Sequence, residues 1–212
     1  MGMEQEIKLA LPSDQVGAAT QWFIQRAGNP GHTITLENRY FDTPALTLAR
    51  AKAAVRVRRT PDGWLQTYKT VGASKDGLHN RHEWEMPVKG NALEIDALLD
   101  ACDDAPSKEA LKQARDALIP LFTTNFSRTL WHVSIEGADV EAAIDQGEIR
   151  ADVNGQTRSS PICEIELELK RGDAGALNAL SAELAQAVHG LRPDDVSKAQ
   201  RGYRLREGNG ST

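Results

Sequence analysis

Charged and uncharged side chains alternate in the stretch Glu4-Gln5-Glu6-Ile7-Lys8-Leu9, close to the start of the chain. In a β-strand, alternate side chains leave on the same face. One face of such a strand carries the two carboxylates and the lysine, and the other face carries Gln5, Ile7 and Leu9. The stretch therefore predicts a strand with one charged face.

A near mirror of this pattern lies far along the chain, in Glu164-Ile165-Glu166-Leu167-Glu168-Leu169-Lys170. If the two stretches form neighbouring strands, their carboxylates make a dense acidic cluster. Unscreened like charges that face each other across strands destabilise a sheet. We therefore expect the functional site between these two strands, where other groups screen the carboxylates.

The same alternation recurs in the extended segments between them. Arg56 and Arg58 alternate with Val55 and Val57, and the segment that follows residue 79 repeats the pattern. The charged faces together hold Glu4, Glu6, Lys8, Arg56, Arg58, Lys69, Arg81, Glu83, Glu85, Arg128, Glu164, Glu166, Glu168 and Lys170. An antiparallel sheet with one face in water produces the same alternation, and this remains the alternative interpretation for any single strand.

Pairing of the two acidic strands would close the sheet into a barrel, because they come from opposite ends of the chain. Closure removes the unpaired edges of a sheet. The apolar faces would then point outward beneath helices, and the interior would be a polar channel with both signs of charge. The rival to this prediction is an open sheet with a wet, charged face.

A first helix is predicted to start near Ser13 and to run to Ala27, and further helical patterns interrupt the strands later in the chain. Residues 91–119 predict a pair of helices inserted into the β-structure, and two further helices are predicted in the tail, ending near Leu205. A turn at Gln146-Gly147 is predicted to separate two short strands. We predict one domain over residues 1–205, with the helical insertion at about 91–119, and a disordered tail at 206–212.

Composition and charge narrow the class of protein. The 212 residues are 40% hydrophobic and 26% charged, and the formal net charge is −5, which argues against a mainly electrostatic nucleic-acid or membrane binder. No apolar run is long enough to span a membrane, and the N-terminus lacks the apolar core of a signal peptide. Cys102 and Cys163 form no metal or redox motif, so a cytoplasmic protein is expected.

A charged interior of this composition has a clear chemical use. Clustered carboxylates bind hard divalent cations such as Mg²⁺ or Mn²⁺. Arginine and lysine bind phosphate oxygens, and arginine often does so with two hydrogen bonds. Carboxylates, a metal ion and phosphate-binding bases together suit phosphoryl transfer or hydrolysis of a phosphoanhydride.

The residues now assembled resemble the CYTH superfamily, also called the triphosphate tunnel metalloenzymes. Glu4-x-Glu6-x-Lys8 is similar to the E-x-E-x-K signature of that family. The other matching motifs follow in the family's order: Tyr40-Phe41-Asp42-Thr43-Pro44, Val55-Arg56-Val57-Arg58, Lys69, Arg81-x-Glu83-x-Glu85, Arg128, Asp145-x-Gly147, Glu164-x-Glu166-x-Glu168 and Ser197-Lys198-x-x-Arg201-Gly202-Tyr203. The resemblance implies an α+β fold: a closed, eight-stranded antiparallel β-barrel with a charged tunnel and helices packed outside.

The resemblance also implies roles for single residues. Metal ions would be held by Glu4, Glu6, Glu164 and Glu166. The triphosphate would be bound by Lys8, Arg56, Arg58, Lys69, Arg81, Arg128 and Lys198. Glu168 would add a ligand or orient the attacking water, and support would come from Glu83, Glu85 and Asp145. From the residues alone, however, Lys198 and Arg201 are better interpreted as solvated charges on a helix.

The predicted activity is divalent-metal-dependent hydrolysis of inorganic triphosphate, a small anionic substrate, to diphosphate and phosphate. The alternatives are a class IV type adenylate cyclase or a thiamine or nucleoside triphosphatase on the same scaffold, and a polyphosphate-binding module without turnover. Bacterial inorganic triphosphatases often carry a C-terminal helical domain of the CHAD type, and this chain ends without one. A stand-alone enzyme and a shortened chain both fit, and the oligomeric state is left open.

Overall fold

Residues 2–70 and 72–208 are described by the computed structural model and form ten strands and six α-helices. The strands are β1 (Gly2–Ala10), β2 (His32–Asp42), β3 (Ala53–Thr60), β4 (Gly63–Thr70), β5 (Ala73–Lys75), β6 (Leu78–Val88), β7 (Ile119–Ile135), β8 (Ala138–Val153), β9 (Gln156–Arg171) and β10 (Arg192–Pro193). The helices are α1 (Val16–Ala27), α2 (Thr47–Arg50), α3 (Ile95–Ala101), α4 (Ala105–Ala114), α5 (Gly175–Ala187) and α6 (Lys198–Glu207). The predicted tail at 206–212 begins inside α6, and its residues 209–212 lie outside the described part of the chain.

Eight of these strands close into an antiparallel barrel. Their order is β1-β9-β8-β7-β2-β3-β4-β6, and β6 pairs again with β1. Glu6 lies opposite Glu168 and Lys8 lies opposite Glu166 where β1 meets β9. The pairing of the two acidic strands and the closed barrel predicted from them are therefore confirmed.

Helices cover the apolar outer faces of the barrel on two sides. On one side α1 and α5 pack against β1, β7, β8 and β9, where the rings of Phe23 and Trp131 stack with centroids 5.0 Å apart. On the other side α3 and α4 cover β3, β4 and β6, and the Tyr68 hydroxyl donates to the Ser107 carbonyl at 2.8 Å. Each large apolar side chain buried in this way contributes about 1.5–3 kcal/mol. The outward direction of the apolar faces leaves the charged faces inside.

The predicted turn at Gln146-Gly147 is wrong, because β8 runs through both residues without a break. Gly147 pairs with Phe126 of β7 and with Ile162 of β9. A Cβ atom on this glycine would lie 2.1 Å from the Asn125 carbonyl oxygen. The glycine permits a close approach of two strands, which is the other common reason for glycine inside a strand.

Gly147→Ala is expected to destabilise the fold by about 1–3 kcal/mol, because the strand must shift to admit the methyl group. Urea denaturation measures the change. Gly17→Ala is the matched control: a Cβ atom there meets no atom within 4 Å. Since Gly17 lies within α1, alanine should stabilise the control by about 0.5–1 kcal/mol. Equal stabilities of the two variants would contradict this account of Gly147.

The C-terminal helix α6 covers one end of the barrel. Its N-terminus is closed by a capping box, in which Ser197 and Gln200 bond each other's backbone N–H groups. Gly202 packs against the Phe122 ring, where a Cβ atom would lie 2.1 Å from a ring carbon. The Tyr203 hydroxyl donates to Asp42 at 3.0 Å. These contacts hold the start of α6 in place and aim its first residue into the barrel.

Among the helices of the described residues, none has the length and apolar character that a membrane crossing requires.

Candidate active site

The barrel encloses a cavity of about 420 Å³ between the inward faces of its strands. Most of the predicted site residues line it: Glu4, Glu6, Lys8, Arg56, Arg58, Lys69, Arg81, Glu83, Glu85, Arg128, Glu166, Glu168 and Lys198. Asp145 and Glu164 are not lining residues; they lie beneath Lys198 and are 0% and 1% exposed. The structure thus brings the predicted residues together, while the role of each stays a prediction.

The side chains that line the cavity differ in exposure. The Lys170 and Glu168 side chains at one end are 42% and 29% exposed, whereas the Lys198 side chain at the α6 end is 7% exposed. The cavity is therefore more open at the end that carries Lys170 than at the end that carries Lys198, which is called the closed end below.

Three carboxylates share two bases on the wall formed by β1, β4 and β6. Lys69 Nζ lies 3.1 Å from the Glu4 carboxylate and 2.8 Å from that of Glu83. Arg81 Nε donates to Glu4 at 2.8 Å, and its Nη2 donates to Glu6. This group retains one uncompensated negative charge.

The pKa values of the two carboxylates of β1, Glu4 and Glu6, are shifted in opposite directions. Burial opposes ionisation of Glu4, but Lys69 and Arg81 outweigh it and lower its pKa. Burial raises the pKa of Glu6 to about 7, and repulsion from Glu166 adds to the effect although Arg81 opposes it. Glu6 is therefore the carboxylate of β1 whose ionised form the surroundings stabilise less.

A second ionic group lies at the closed end of the cavity, around the Lys198 ammonium group. Its Nζ lies 2.6 Å from the Asp145 carboxylate and 2.8 Å from that of Glu166, and it also contacts Glu164. Burial opposes the charge on Lys198, but the three carboxylates raise its pKa. The interpretation of Lys198 as a solvated helix charge is wrong. The capping box just before it is the sequence signal for a helix that begins at this lysine.

Two arginines complete this second group. Arg128 donates to both Asp145 oxygens, at 2.7 and 2.6 Å, and also to Glu166. Arg201 Nη1 lies 3.2 Å from Glu164, so Arg201 is not a solvated helix charge either. Ligand atoms of the three carboxylates lie within 4.8 Å of one another, a spacing that would suit a metal ion. However, three bases already neutralise them, so the group has no remaining charge for a cation to compensate.

The wall formed by β2, β3 and β4 carries arginines held mainly by uncharged groups. Arg56 bonds the Tyr40 hydroxyl and the Thr67 hydroxyl, both at 3.3 Å, and lies 3.7 Å from the Glu85 carboxylate. Arg58 Nε donates to the Asn38 side chain at 2.6 Å. This wall retains one uncompensated positive charge, because two arginines face one carboxylate.

Lys8 contacts the segment that leads into α6. Its ammonium group lies 3.1 Å from the Asp194 carboxylate and donates to the Val196 carbonyl oxygen. His79, on the facing strand, bonds the Asp194 carbonyl oxygen through Nε2 at 2.9 Å. Lys8 therefore borders the cavity while holding the closed end together.

Several cavity residues were missed by the sequence analysis. Glu141 lies opposite Glu168 and shares the Lys170 ammonium group with it, at distances of 3.4 and 2.8 Å. Tyr40 appeared in the sequence analysis only as part of a family motif without a role, and it also lines the cavity. Glu141 could have been found from its alternation with Asp145, since both belong to one face of β8.

A closed antiparallel barrel with ion-paired carboxylates and bases around an internal cavity defines a charged-tunnel protein. The chain belongs to the CYTH family, because the CYTH domain profile matches residues 2–203. An inorganic triphosphatase of Haemophilus influenzae is 33% identical to it over 209 residues, which cover 97% of this chain and 55% of that protein. This chain thus spans about half the length of that relative.

Solved structures share the fold at low sequence identity. A Hippeastrum protein proposed to be an adenylyl cyclase, and described with a dominant triphosphatase activity, has a TM-score of 0.60 and 20% identity. The match covers 97% of this chain and 96% of the Hippeastrum chain. A Pyrococcus horikoshii protein has a TM-score of 0.56 and 16% identity, over 92% and 96% of the two chains.

Proposed function

We propose that the tunnel hydrolyses inorganic triphosphate to diphosphate and phosphate with a divalent metal ion. One observation carries the proposal: uncompensated charge of opposite sign lies on separate walls of one cavity. The acidic side has five carboxylates and three bases, an excess of two negative charges: Glu4, Glu6, Glu83, Glu141 and Glu168 against Lys69, Arg81 and Lys170. The likeness to the Haemophilus influenzae inorganic triphosphatase supports this substrate.

The acidic side fits a hard divalent cation such as Mg²⁺ or Mn²⁺, because its ligands are carboxylate oxygens with two charges in excess. Glu166 lines the cavity but would have to leave Lys198 and Arg128 to bind a metal ion. Glu4 and Glu6 also line it and keep their predicted role as ligands. Glu168 lies opposite Glu6 and joins them. Glu164 would have to leave Lys198 and Arg201 to bind a metal ion. When bound, the ion supplies Lewis-acid polarisation of the phosphate.

The basic wall holds the substrate. Among the described residues, Arg56 and Arg58 together face one carboxylate within ion-pair distance, Glu85, so this pair keeps one positive charge and contacts the phosphate oxygens first. Lys69, Arg81 and Arg128 lie around the same cavity and add donors for the charge that develops on the phosphoryl oxygens in the transition state. Glu168, the more exposed of the predicted carboxylates of β9, orients the attacking water.

The lining of the cavity favours an inorganic over a nucleoside triphosphate. Tyr40 is the one aromatic ring besides His79 among the described lining residues. Its face stacks on Phe122, with ring centroids 4.8 Å apart, and its hydroxyl accepts from Arg56. This ring is therefore packed into the barrel wall, and it offers no free face on which the base of a nucleotide could stack. A module that only binds polyphosphate would need the bases but not the excess of carboxylates.

The test is release of phosphate and of cyclic AMP from inorganic triphosphate, ATP and thiamine triphosphate, with Mg²⁺, Mn²⁺ or EDTA. We expect metal-dependent phosphate release that is fastest from inorganic triphosphate, no cyclic AMP, and no turnover in EDTA. Absence of metal-dependent turnover of every triphosphate would refute the enzyme. Faster turnover of ATP or thiamine triphosphate would transfer the proposal to that substrate.

A further inference from the structure

Asn38 is buried between β3 and β7 with a fixed amide orientation. The residue is 2% exposed, and its Nδ2 donates to the Thr124 carbonyl oxygen at 2.6 Å. Since the Nδ2 group must face that carbonyl, Oδ1 faces the other neighbouring strand. There it accepts from Arg58 Nε at 2.6 Å. The amide therefore acts as a rigid link between the β7 backbone and one guanidinium group.

This link leaves most of the Arg58 guanidinium available. Nη1 and Nη2 of Arg58 make no hydrogen bond to any residue in the described ranges, and the side chain lines the cavity. No carboxylate of the described chain lies within ion-pair distance of it, whereas Arg81 and Arg128 each contact two. Burial, with repulsion from Arg56 and Arg128, lowers the pKa of Arg58 to about 9. The group is still cationic at neutral pH and is poised to gain from a bound anion.

We propose that Asn38 is a positioning residue for triphosphate binding. Its neutral amide oxygen accepts a hydrogen bond that aims Arg58 into the cavity and leaves the charge of Arg58 for the phosphate. The inference rests on the proposed function. It adds the residue that orients Arg58, the arginine whose charge no carboxylate of the described chain compensates within ion-pair distance. An aspartate in this place would also accept from Nε, but its carboxylate would neutralise Arg58. An amide holds the arginine without competing with the substrate.

The test compares Asn38→Ala and Asn38→Asp in the wild-type and in an Arg58→Gln background. Kinetics with Mn²⁺ give KM and kcat, and calorimetry in EDTA gives Kd for inorganic triphosphate. Loss of one charge-assisted contact corresponds to about a tenfold or larger rise in KM and Kd, with kcat changing far less. In the Arg58→Gln background Asn38→Ala should add no more than about twofold, because coupled residues are not additive.

Thr124→Val is the matched control on the neighbouring strand. The Thr124 hydroxyl is buried and makes no hydrogen bond to the described residues, so its replacement keeps the backbone carbonyl that Asn38 needs. We expect unchanged KM in this variant. Thermal melting of every variant separates folding from binding, and Asn38→Ala serves if Asn38→Asp does not fold.

Two results would overturn the inference. Asn38→Ala with a lower melting temperature but unchanged KM and Kd would make Asn38 a structural residue only. An equal rise in KM in both backgrounds would show that Asn38 acts through a group other than Arg58. Wild-type protein that binds triphosphate without hydrolysing it would refute the proposed function alone, since Asn38→Ala must still raise Kd.

Discussion

Glu6→Gln is expected to lower metal-dependent hydrolysis of inorganic triphosphate by about 10²–10³-fold, an effect typical of losing one charged group that acts on the transition state. Glu6 lies where the acidic wall has its excess of negative charge, opposite Glu168 and bonded to Arg81. Glutamine keeps the shape and an acceptor for Arg81 but removes the charge that draws the cation. The metal concentration for half-maximal activity should rise together with the loss of turnover.

Glu37→Gln provides the control, because it makes the same chemical change outside the cavity. Glu37 pairs with Arg59 at 3.8 Å, and its side chain is 53% exposed. An exposed pair of this kind contributes little, so activity and metal requirement should match the wild type. A Glu6→Gln enzyme with turnover within about twofold of wild type would remove Glu6 from the metal site, given the size expected for a true ligand.

Lys198→Met is expected to destabilise the protein by about 3–5 kcal/mol, the range for removing one partner from a buried ionic group. Three carboxylates would then face two arginines in a dry environment: Asp145, Glu164 and Glu166 against Arg128 and Arg201. The same loss would free the start of α6 from the barrel. Chemical denaturation followed by circular dichroism measures the difference.

Lys112→Met is the matched control on the exposed surface of α4. A surface substitution away from such groups usually changes stability by no more than about 0.5 kcal/mol. Mn²⁺ should raise the melting temperature of Lys198→Met more than that of the wild type, because the freed carboxylates are spaced for a cation. Equal stability of Lys198→Met and Lys112→Met would show that the buried ionic group does not hold α6.

Two parts of the architecture could be predicted from sequence because they depend only on the spacing at which apolar and charged residues repeat. Alternation along β1 and β9 gave each strand a charged and an apolar face, and the helices predicted at 91–119 lie on an apolar side of the barrel. The turn at Gln146-Gly147 failed because a glycine required by close strand contact has the same local signature as a glycine in a turn. Asn38 was missed because an isolated asparagine in a strand carries no periodic signal.

By itself, the sequence determined which charged residues of the alternating strands face inward, since the two-residue repeat of a strand assigns each side chain to one face. It also identified the family, through motifs spread along almost the whole chain. Only the tertiary structure decided which of those inward charges are already compensated. Lys198, Arg128 and Arg201 neutralise the carboxylates at one end of the cavity, while Arg58 has no carboxylate within ion-pair distance in the described structure. The reason is physical: charge compensation depends on distances of a few ångströms between residues far apart in the chain, and those distances are set by strand register, barrel closure and the docking of α6.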